Sequence, residues 1–197
     1  PTLLRAFDTA VVSVAMSAAN TSGGADPVQR VEASYLSRSV SLNSTDGGLV
    51  WRGFYSIQPN DPSSDTAAQF TAIMAFDAAG NSNVASVSQD FTKGILARLP
   101  VISQIQHSAA SNRISSGVSV VFTIIPDAAS IADATGVTAL YNTAPVTFTQ
   151  SQTGSFIGTY IHSGAYPDSA ITAPQLQARL IDRTGNIGPS LTTTDLP

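Results

Sequence analysis

The chain has no cysteine among its 197 residues, which excludes disulfide bonds and thiolate metal sites. Lysine and glutamate are almost absent too, since Lys93 and Glu32 are the only residues of their types. Both types favour the exposed surfaces of helices, whereas the abundant Asp, Ser, Thr, Asn and Gly favour turns and caps. The composition therefore indicates strands and turns.

Charge is also scarce, at 11% of residues with a net charge of -4. The chain is acidic and lacks clustered Lys and Arg, so nucleic acid is excluded as a partner. No apolar run approaches the roughly 20 residues that cross a bilayer, and we expect no direct membrane span. At 43% hydrophobic residues, the chain has enough apolar material for a core.

The origin of the chain is expected to be an exported microbial protein, located extracellularly or at the cell surface. This expectation rests on the abundant Ser and Thr, the single lysine and the missing cysteine. The chain begins at Pro1 without a signal peptide, so we expect a processed or excised piece. Asn20 and Asn43 begin N-glycosylation sequons, which would be silent in most bacteria and could be occupied in an archaeon.

An internal repeat organises the chain. Three pairs of segments match in the same order along the chain. VEASY at 31–35 matches VTALY at 137–141, at an offset of 106 residues. WRGFY at 51–55 matches FIGTY at 156–160, and DAAGN at 77–81 matches DRTGN at 182–186, both at an offset of 105. Chance does not easily place so many matches in one order, so the chain is two copies of one unit. We predict two domains, 1–95 and 96–197.

Within each copy, apolar residues alternate with polar ones, as they do in strands. One face of the first copy carries Val12, Val14 and Met16, then Val31, Ala33 and Tyr35, then Trp51, Gly53, Tyr55 and Ile57. The second copy shows the same period at Val118, Val120, Phe122 and Ile124. Six or seven such strands, separated by turn residues, predict an antiparallel β-sandwich in each copy.

The motifs V-x-A-x-Y, W/F-x-G-x-Y and D-x-x-G-N, in this order, resemble the bacterial immunoglobulin-like repeats of surface and secreted proteins. The resemblance covers nearly the whole chain, twice. It implies an all-β fold of two tandem immunoglobulin-like antiparallel β-sandwich domains, in a non-catalytic extracellular part. Such repeats serve as stalks, adhesin modules, coat subunits and enzyme spacers, so the fold by itself does not select a function.

The two D-x-x-G-N segments offer oxygen ligands in a short loop, which is one feature of a calcium site. Neither segment has the alternating acids of a calcium loop, and an Asp followed by Gly at the fourth position is typical of a hairpin turn. We therefore predict hairpins and no metal or other cofactor. If a cation did bind, its candidate ligands would be Asp77, Asn81, Asp182 and Asn186.

Catalytic motifs are not found in the sequence. His107 and His162 both lie in the second copy, and neither recurs in the first. No nucleophile motif, zinc motif or phosphate-binding loop accompanies them. Trp51 and Tyr55 could stack on a sugar, but their shared face with Gly53 and Ile57 favours core packing. Asn60 to Asp65 is a second oxygen-rich segment, for which a turn is again favoured. We expect that the chain is not an enzyme.

One aligned strand differs sharply between the copies. In the second copy, Leu176, Ala178 and Leu180 alternate with the polar residues Gln175, Gln177 and Arg179. By the same register the first copy buries Thr71, Ile73 and Ala75, which leaves an outward apolar row: Phe70, Ala72, Met74 and Phe76. Apolar surface of this kind is usually covered by a partner, and methionine and aromatics are enriched in interfaces. We predict that the apolar row is an interface.

These features are compatible with three classes of function. The favoured class is a non-catalytic structural subunit or module of an extracellular surface assembly, such as a filament, sheath or S-layer. Its partners would be copies of itself or other surface proteins. The alternatives are an adhesin or carbohydrate-binding stalk module, and the accessory domains of a secreted enzyme.

Overall fold

The structure is a computed structural model that contains strands and no helix in the part of the chain it describes. That part comprises residues 2–16, 28–35, 38–44, 46, 48–63, 72–84, 93–109, 116–162 and 175–193. The chain divides into two compact units, Pro1–Arg98 and Leu99–Pro197. The predicted all-β architecture with antiparallel sheets is confirmed. The boundary between residues 95 and 96 stays a prediction.

The described residues of the first unit form eight strands: β1 (Thr2–Arg5), β2 (Thr9–Ala15), β3 (Arg30–Tyr35), β4 (Arg38–Ser44), β5 (Val50–Ser56), β6 (Ala72–Phe76), β7 (Ser82–Val84) and β8 (Lys93–Leu96). Six of them form one antiparallel sheet in the order β2-β5-β4-β3-β6-β7. Strand β4 pairs with β3 over most of its length and with β5 at its end, so it belongs to both layers. The exception to the antiparallel pattern is β1, which pairs with β8 in parallel.

In the second unit, eight strands are likewise found within the described ranges: β9 (Ile102–His107), β10 (Ser119–Pro126), β11 (Ala134–Tyr141), β12 (Ala144–Pro145), β13 (Phe148–Gln150), β14 (Phe156–Ile161), β15 (Leu176–Asp182) and β16 (Leu191–Thr193). They form two separate four-stranded sheets, β13-β14-β10-β9 and β12-β11-β15-β16. The continuous strand β4 is here replaced by β12 and β13. Pro145 ends β12, and it occupies the repeat position of Ser39; because proline has no backbone N–H, it interrupts the ladder at this point.

Each unit has one core built from the predicted strand faces. In the first unit the core includes Val12, Val14, Val31, Ala33, Trp51, Tyr55 and Ile57. In the second it includes Val120, Phe122, Ile124, Leu176, Ala178 and Leu180. The predicted core position of Val118 is wrong: its side chain is 46% exposed, since it precedes the first residue of β10 and extends past the end of the packed layer.

The glycine of the W/F-x-G-x-Y motif lies where neighbouring strands approach too closely for a side chain. A methyl group added at Gly53 would lie 2.5 Å from the carbonyl oxygen of Ser41 and 2.6 Å from Cδ2 of Leu42. A methyl group at Gly158 would lie 2.9 Å from the ring of Phe148, its cross-strand partner. The repeated glycine is thus required by packing, and it separates the two large side chains that flank it.

Replacing this glycine by alanine should therefore destabilise the first unit. Because the carbonyl oxygen of Ser41 belongs to a paired strand and cannot easily move, Gly53→Ala should lower the free energy of unfolding by about 1–3 kcal/mol. Trp51 is the chain's single tryptophan, so its fluorescence in a urea titration reports on the first unit.

Gly136→Ala is the matched control, since its added methyl would lie 3.8 Å from its nearest neighbour. Circular dichroism should show this variant unchanged or slightly stabilised. Equal losses for Gly53→Ala and Gly136→Ala would contradict the packing explanation.

Candidate functional site

The first D-x-x-G-N segment forms the hairpin turn between β6 and β7. Oδ1 of Asp77 accepts a hydrogen bond from the backbone N–H of Asn81 at 2.8 Å, and Oδ2 accepts one from the Asn81 side-chain amide at 2.7 Å. Gly80 has a φ of 86°, which glycine adopts at little cost. The hydrogen bond from the Asn81 side chain is the main cause that lowers the pKa of Asp77.

The second D-x-x-G-N segment repeats this turn in a buried setting. Asp182 is only 3% exposed, and Asn186 is buried beside it. Oδ1 of Asp182 accepts hydrogen bonds from the backbone N–H of Thr184, the Thr184 hydroxyl and the backbone N–H of Asn186. Oδ2 accepts one from the Asn186 side chain at 2.8 Å. A cation would have to displace these internal donors.

In the described ranges, no three His, Asp or Glu side chains come together in a group that could hold a metal ion. The four candidate ligands thus lie in two separate turns whose carboxylates are engaged within the turn. The prediction that they bind no metal stays a prediction, which the next experiment addresses.

Removing the buried carboxylate should cost more stability than removing the exposed one. Asp182→Ala removes the buried carboxylate that accepts four hydrogen bonds within its turn, and we expect it to lower the free energy of unfolding by about 1–3 kcal/mol. Asp77→Ala should cost less, because water can replace the lost contacts. EDTA should change neither unfolding midpoint. If EDTA lowered the midpoint and Asp77→Ala reproduced that loss, the turns would be calcium sites.

The Asp77–Asn81 contact should also make stability depend on acid pH. The pKa of Asp77 in the folded chain lies below the ordinary aspartate value of about 3.9. The contribution is therefore fully present above about pH 4 and is lost as the pH falls through the folded pKa. Asn81→Ala should reduce this acid-dependent loss, as measured by urea midpoints at a series of pH values. An unchanged pH profile in the variant would contradict the assignment.

The aromatic residues considered for sugar stacking belong to the core. Trp51 and Tyr55 are both buried, as core packing requires. The Tyr55 hydroxyl donates to Oδ2 of Asp61 at 2.6 Å, and the backbone N–H of Gln58 donates to the same oxygen at 2.9 Å. Arg38 lies 3.6 Å from Oδ1 of this carboxylate. Asp61 thus fixes the turn after β5, whereas residues 64 and 65 of the same oxygen-rich segment lie outside the described residues.

The two histidines occupy different places in the second unit. His107 is exposed at the end of β9. His162 is half-buried, with its ring centroid 6.4 Å from that of Tyr160. Of the two sequon residues, Asn43 is exposed on β4, and Asn20 lies outside the described residues.

The apolar row lies in part on β6, and its role as an interface stays a prediction. Phe70 and Thr71 lie outside the described residues, but Ile73 is buried and Ala75 packs against the core. Ala72, Met74 and Phe76 are half-buried on the outer side. The guanidinium of Arg30 lies 4.0 Å from the centroid of the Phe76 ring and covers part of it. Met74 lies between its cross-strand partners Glu32 and Val84.

A second outward apolar contact of the first unit was not predicted. Val11 and Phe54 are directly opposite each other on β2 and β5, and they are 62% and 72% exposed. Comparison of the two copies could have identified Phe54, because the second copy has the polar residue Thr159 at the same position. We call Val11 and Phe54 the exposed pair.

No protein-family model matches the chain, and no curated protein matches it either. Several solved structures are similar in fold, including the following three. Clostridium thermocellum CbhA fibronectin(III)-like modules are 10% identical, with a TM-score of 0.38, and 97% of this chain and 86% of that chain are covered. A Ca2+-stabilized adhesin of an Antarctic bacterium that binds ice is 21% identical, with a TM-score of 0.48 and 95% and 43% covered. Murine CEACAM1b is 9% identical, with a TM-score of 0.33 and 100% and 96% covered.

Proposed function

We propose that the chain is a non-catalytic structural module of an extracellular surface assembly, joined to copies of itself through the first unit. The observation that carries this proposal is the exposed pair, Val11 and Phe54, on the outer face of β2 and β5. Two large apolar side chains at directly opposite positions of paired strands are neighbours on the surface rather than scattered residues.

The free energy available from covering the exposed pair is substantial. Full burial of a Val or Phe side chain contributes about 1.5–3 kcal/mol by transfer from water. Association has its own entropic cost, so one such contact gives weak binding between free molecules. The same contact repeated along an assembly is sufficient to hold the copies together, because each added molecule meets neighbours that are already fixed.

The apolar row supports a repeating contact because it lies on the other layer of the first unit. Met74, Phe76 and Val84 extend apolar surface over β6 and β7, where Val84 is exposed. The exposed pair and the apolar row are different surfaces, and we propose that the exposed pair of one copy packs against the apolar row of the next, which is a heterologous contact. Heterologous contacts generate rings or open filaments rather than closed two-fold dimers.

The polar side chains that were weighed for chemistry have structural roles instead, which supports a non-catalytic module. Asp61 accepts hydrogen bonds from Tyr55 and Gln58, and Asp182 accepts four from its own turn. In the described residues no helix is long and apolar enough to cross a membrane. The acidic chain without cysteine is suited to an extracellular location.

Self-association should depend on Phe54. Phe54→Thr introduces the residue that the second copy has at the same position, and it should leave the melting temperature unchanged because the ring is exposed. Sedimentation velocity over a range of concentrations should show assembly in the natural sequence and a loss of assembly of at least about tenfold in apparent affinity in the variant.

Ile161→Thr is the matched control, since Ile161 is a similarly exposed strand residue of the second unit. This variant should assemble like the natural sequence. If Phe54→Thr and a Met74→Arg variant both assemble normally, neither surface of the first unit is an interface and the proposal fails.

A further inference from the structure

A cleft of about 260 Å³ lies on the outer side of the second unit, where β11 turns into β12 beside the start of β15. Its walls are Leu140, Asn142, Thr143, Gln175 and Gln177. We call it the amide cleft. Its volume is somewhat below the roughly 300–1,000 Å³ of sites for drug-sized ligands, so it suits a smaller molecule.

The two walls of the amide cleft are held together by two hydrogen bonds, one between backbone groups and one to the Asn142 side chain. The N–H of Asn142 donates to the carbonyl oxygen of Gln175 at 3.1 Å, and the N–H of Gln175 donates to Oδ1 of Asn142 at 3.0 Å. Leu140 and Gln177 are cross-strand partners in the same ladder. The cleft is therefore formed by paired strands and is already shaped before a ligand arrives.

The turn that closes the cleft contains a threonine, Thr143, in a strained backbone conformation. Asn142 and Thr143 have φ angles of 44° and 72°. Both central residues of a two-residue type I′ hairpin need positive φ, which Asn accepts and Gly prefers. A β-branched threonine in this conformation is an outlier. Strained backbone conformations of this kind are concentrated at binding and catalytic sites.

The polar groups around the cleft are available to a ligand. In the part of the chain described, the side chains of Thr143, Gln175 and Gln177 make no hydrogen bond. An amide side chain offers both donors and acceptors, and a hydroxyl offers both as well. Among the described residues that line the cleft none is charged, and Leu140 adds an apolar surface that is 44% exposed.

We propose that the amide cleft binds a neutral polyhydroxylated ligand, namely a single sugar unit of a glycan. A sugar hydroxyl needs a donor and an acceptor together, which Gln175, Gln177 and Thr143 supply. The C–H face of a sugar ring packs on an apolar side chain, and Leu140 supplies that contact. A charged ligand would find no partner of opposite charge among the lining residues. Binding should be weak, with a Kd of about 1–10 mM, because the described lining residues include no aromatic ring to stack on the sugar.

The repeat restricts this site to the second unit. Gln175 and Gln177 align with Phe70 and Ala72, and Leu140 aligns with Ser34. The positions that carry free amides in one copy thus carry the apolar row in the other. The site is independent of the proposed assembly contacts, which lie on the first unit.

The test is an NMR titration of the isotope-labelled chain with methyl glycosides of glucose, galactose, mannose and N-acetylglucosamine. At least one of them should shift the backbone amides of residues 140–143 and 175–177 selectively. Gln177→Ala, which introduces the residue of the first copy, should weaken that binding about tenfold. Gln106→Ala is the matched control: it removes an exposed glutamine of the same unit that lies outside the cleft, and it should bind normally.

Thr143→Gly is a second variant, which should stabilise the fold but weaken sugar binding. It removes the strain and the hydroxyl together, so it should raise the melting temperature while it weakens sugar binding. The proposal is overturned if none of the four glycosides shifts these amides, if Gln177→Ala binds as well as Gln106→Ala, or if an extended Ser/Thr-rich peptide binds the cleft more tightly than any sugar. None of these outcomes bears on the self-association of Phe54→Thr.

Discussion

Both units depend on the close approach of two strands at a single glycine. Because Gly53 and Gly158 have no side chain, a neighbouring strand or ring can lie directly against the backbone of β5 and β14. The large residues on either side are then free to fill the core, as Trp51 and Tyr55 do in the first unit. In the second unit the ring of Phe148 covers the glycine that it faces, which restores apolar contact where a side chain is missing. The motif is thus a packing constraint shared by two otherwise different sandwiches.

Around this shared core the two copies are completed in different ways. In the first unit β4 runs on continuously and joins both layers, whereas Pro145 divides the equivalent segment into β12 and β13. The opening strand β1 pairs in parallel with β8, but its counterpart β9 pairs antiparallel with β10. A single proline and the choice of partner for one edge strand are sufficient to change the sheet topology while the core remains the same. The divergence also extends to the surfaces, where apolar side chains of one copy are replaced by amides in the other.

The sequence predicts the strands and the two-copy organisation well, because both rest on short-range pattern. Period-two alternation identifies Leu176, Ala178 and Leu180 as core residues, and it fails at Val118, where the strand has not yet begun. Alternation also assigns Phe54 an outward direction, but it cannot say whether a neighbour covers it. Partial cover of Phe76 by Arg30 depends on which residues pair across β3 and β6. The amide cleft depends on φ angles in a two-residue turn and on pairing between distant segments, neither of which is visible as a spacing in the chain.

The parallel pairing of β1 with β8 has a mechanical consequence. These strands lie near the two ends of the first unit and run in the same direction, with Thr2 opposite Lys93 and Arg5 opposite Leu96. A tensile force applied between the ends of this unit would pull the two strands past each other lengthwise, and their backbone hydrogen bonds would be loaded simultaneously in shear. Strands pulled apart from one end would instead lose these bonds one after another. The first unit is therefore built to resist stretching along the chain, and its rupture force should depend on a short ladder rather than on the size of its core.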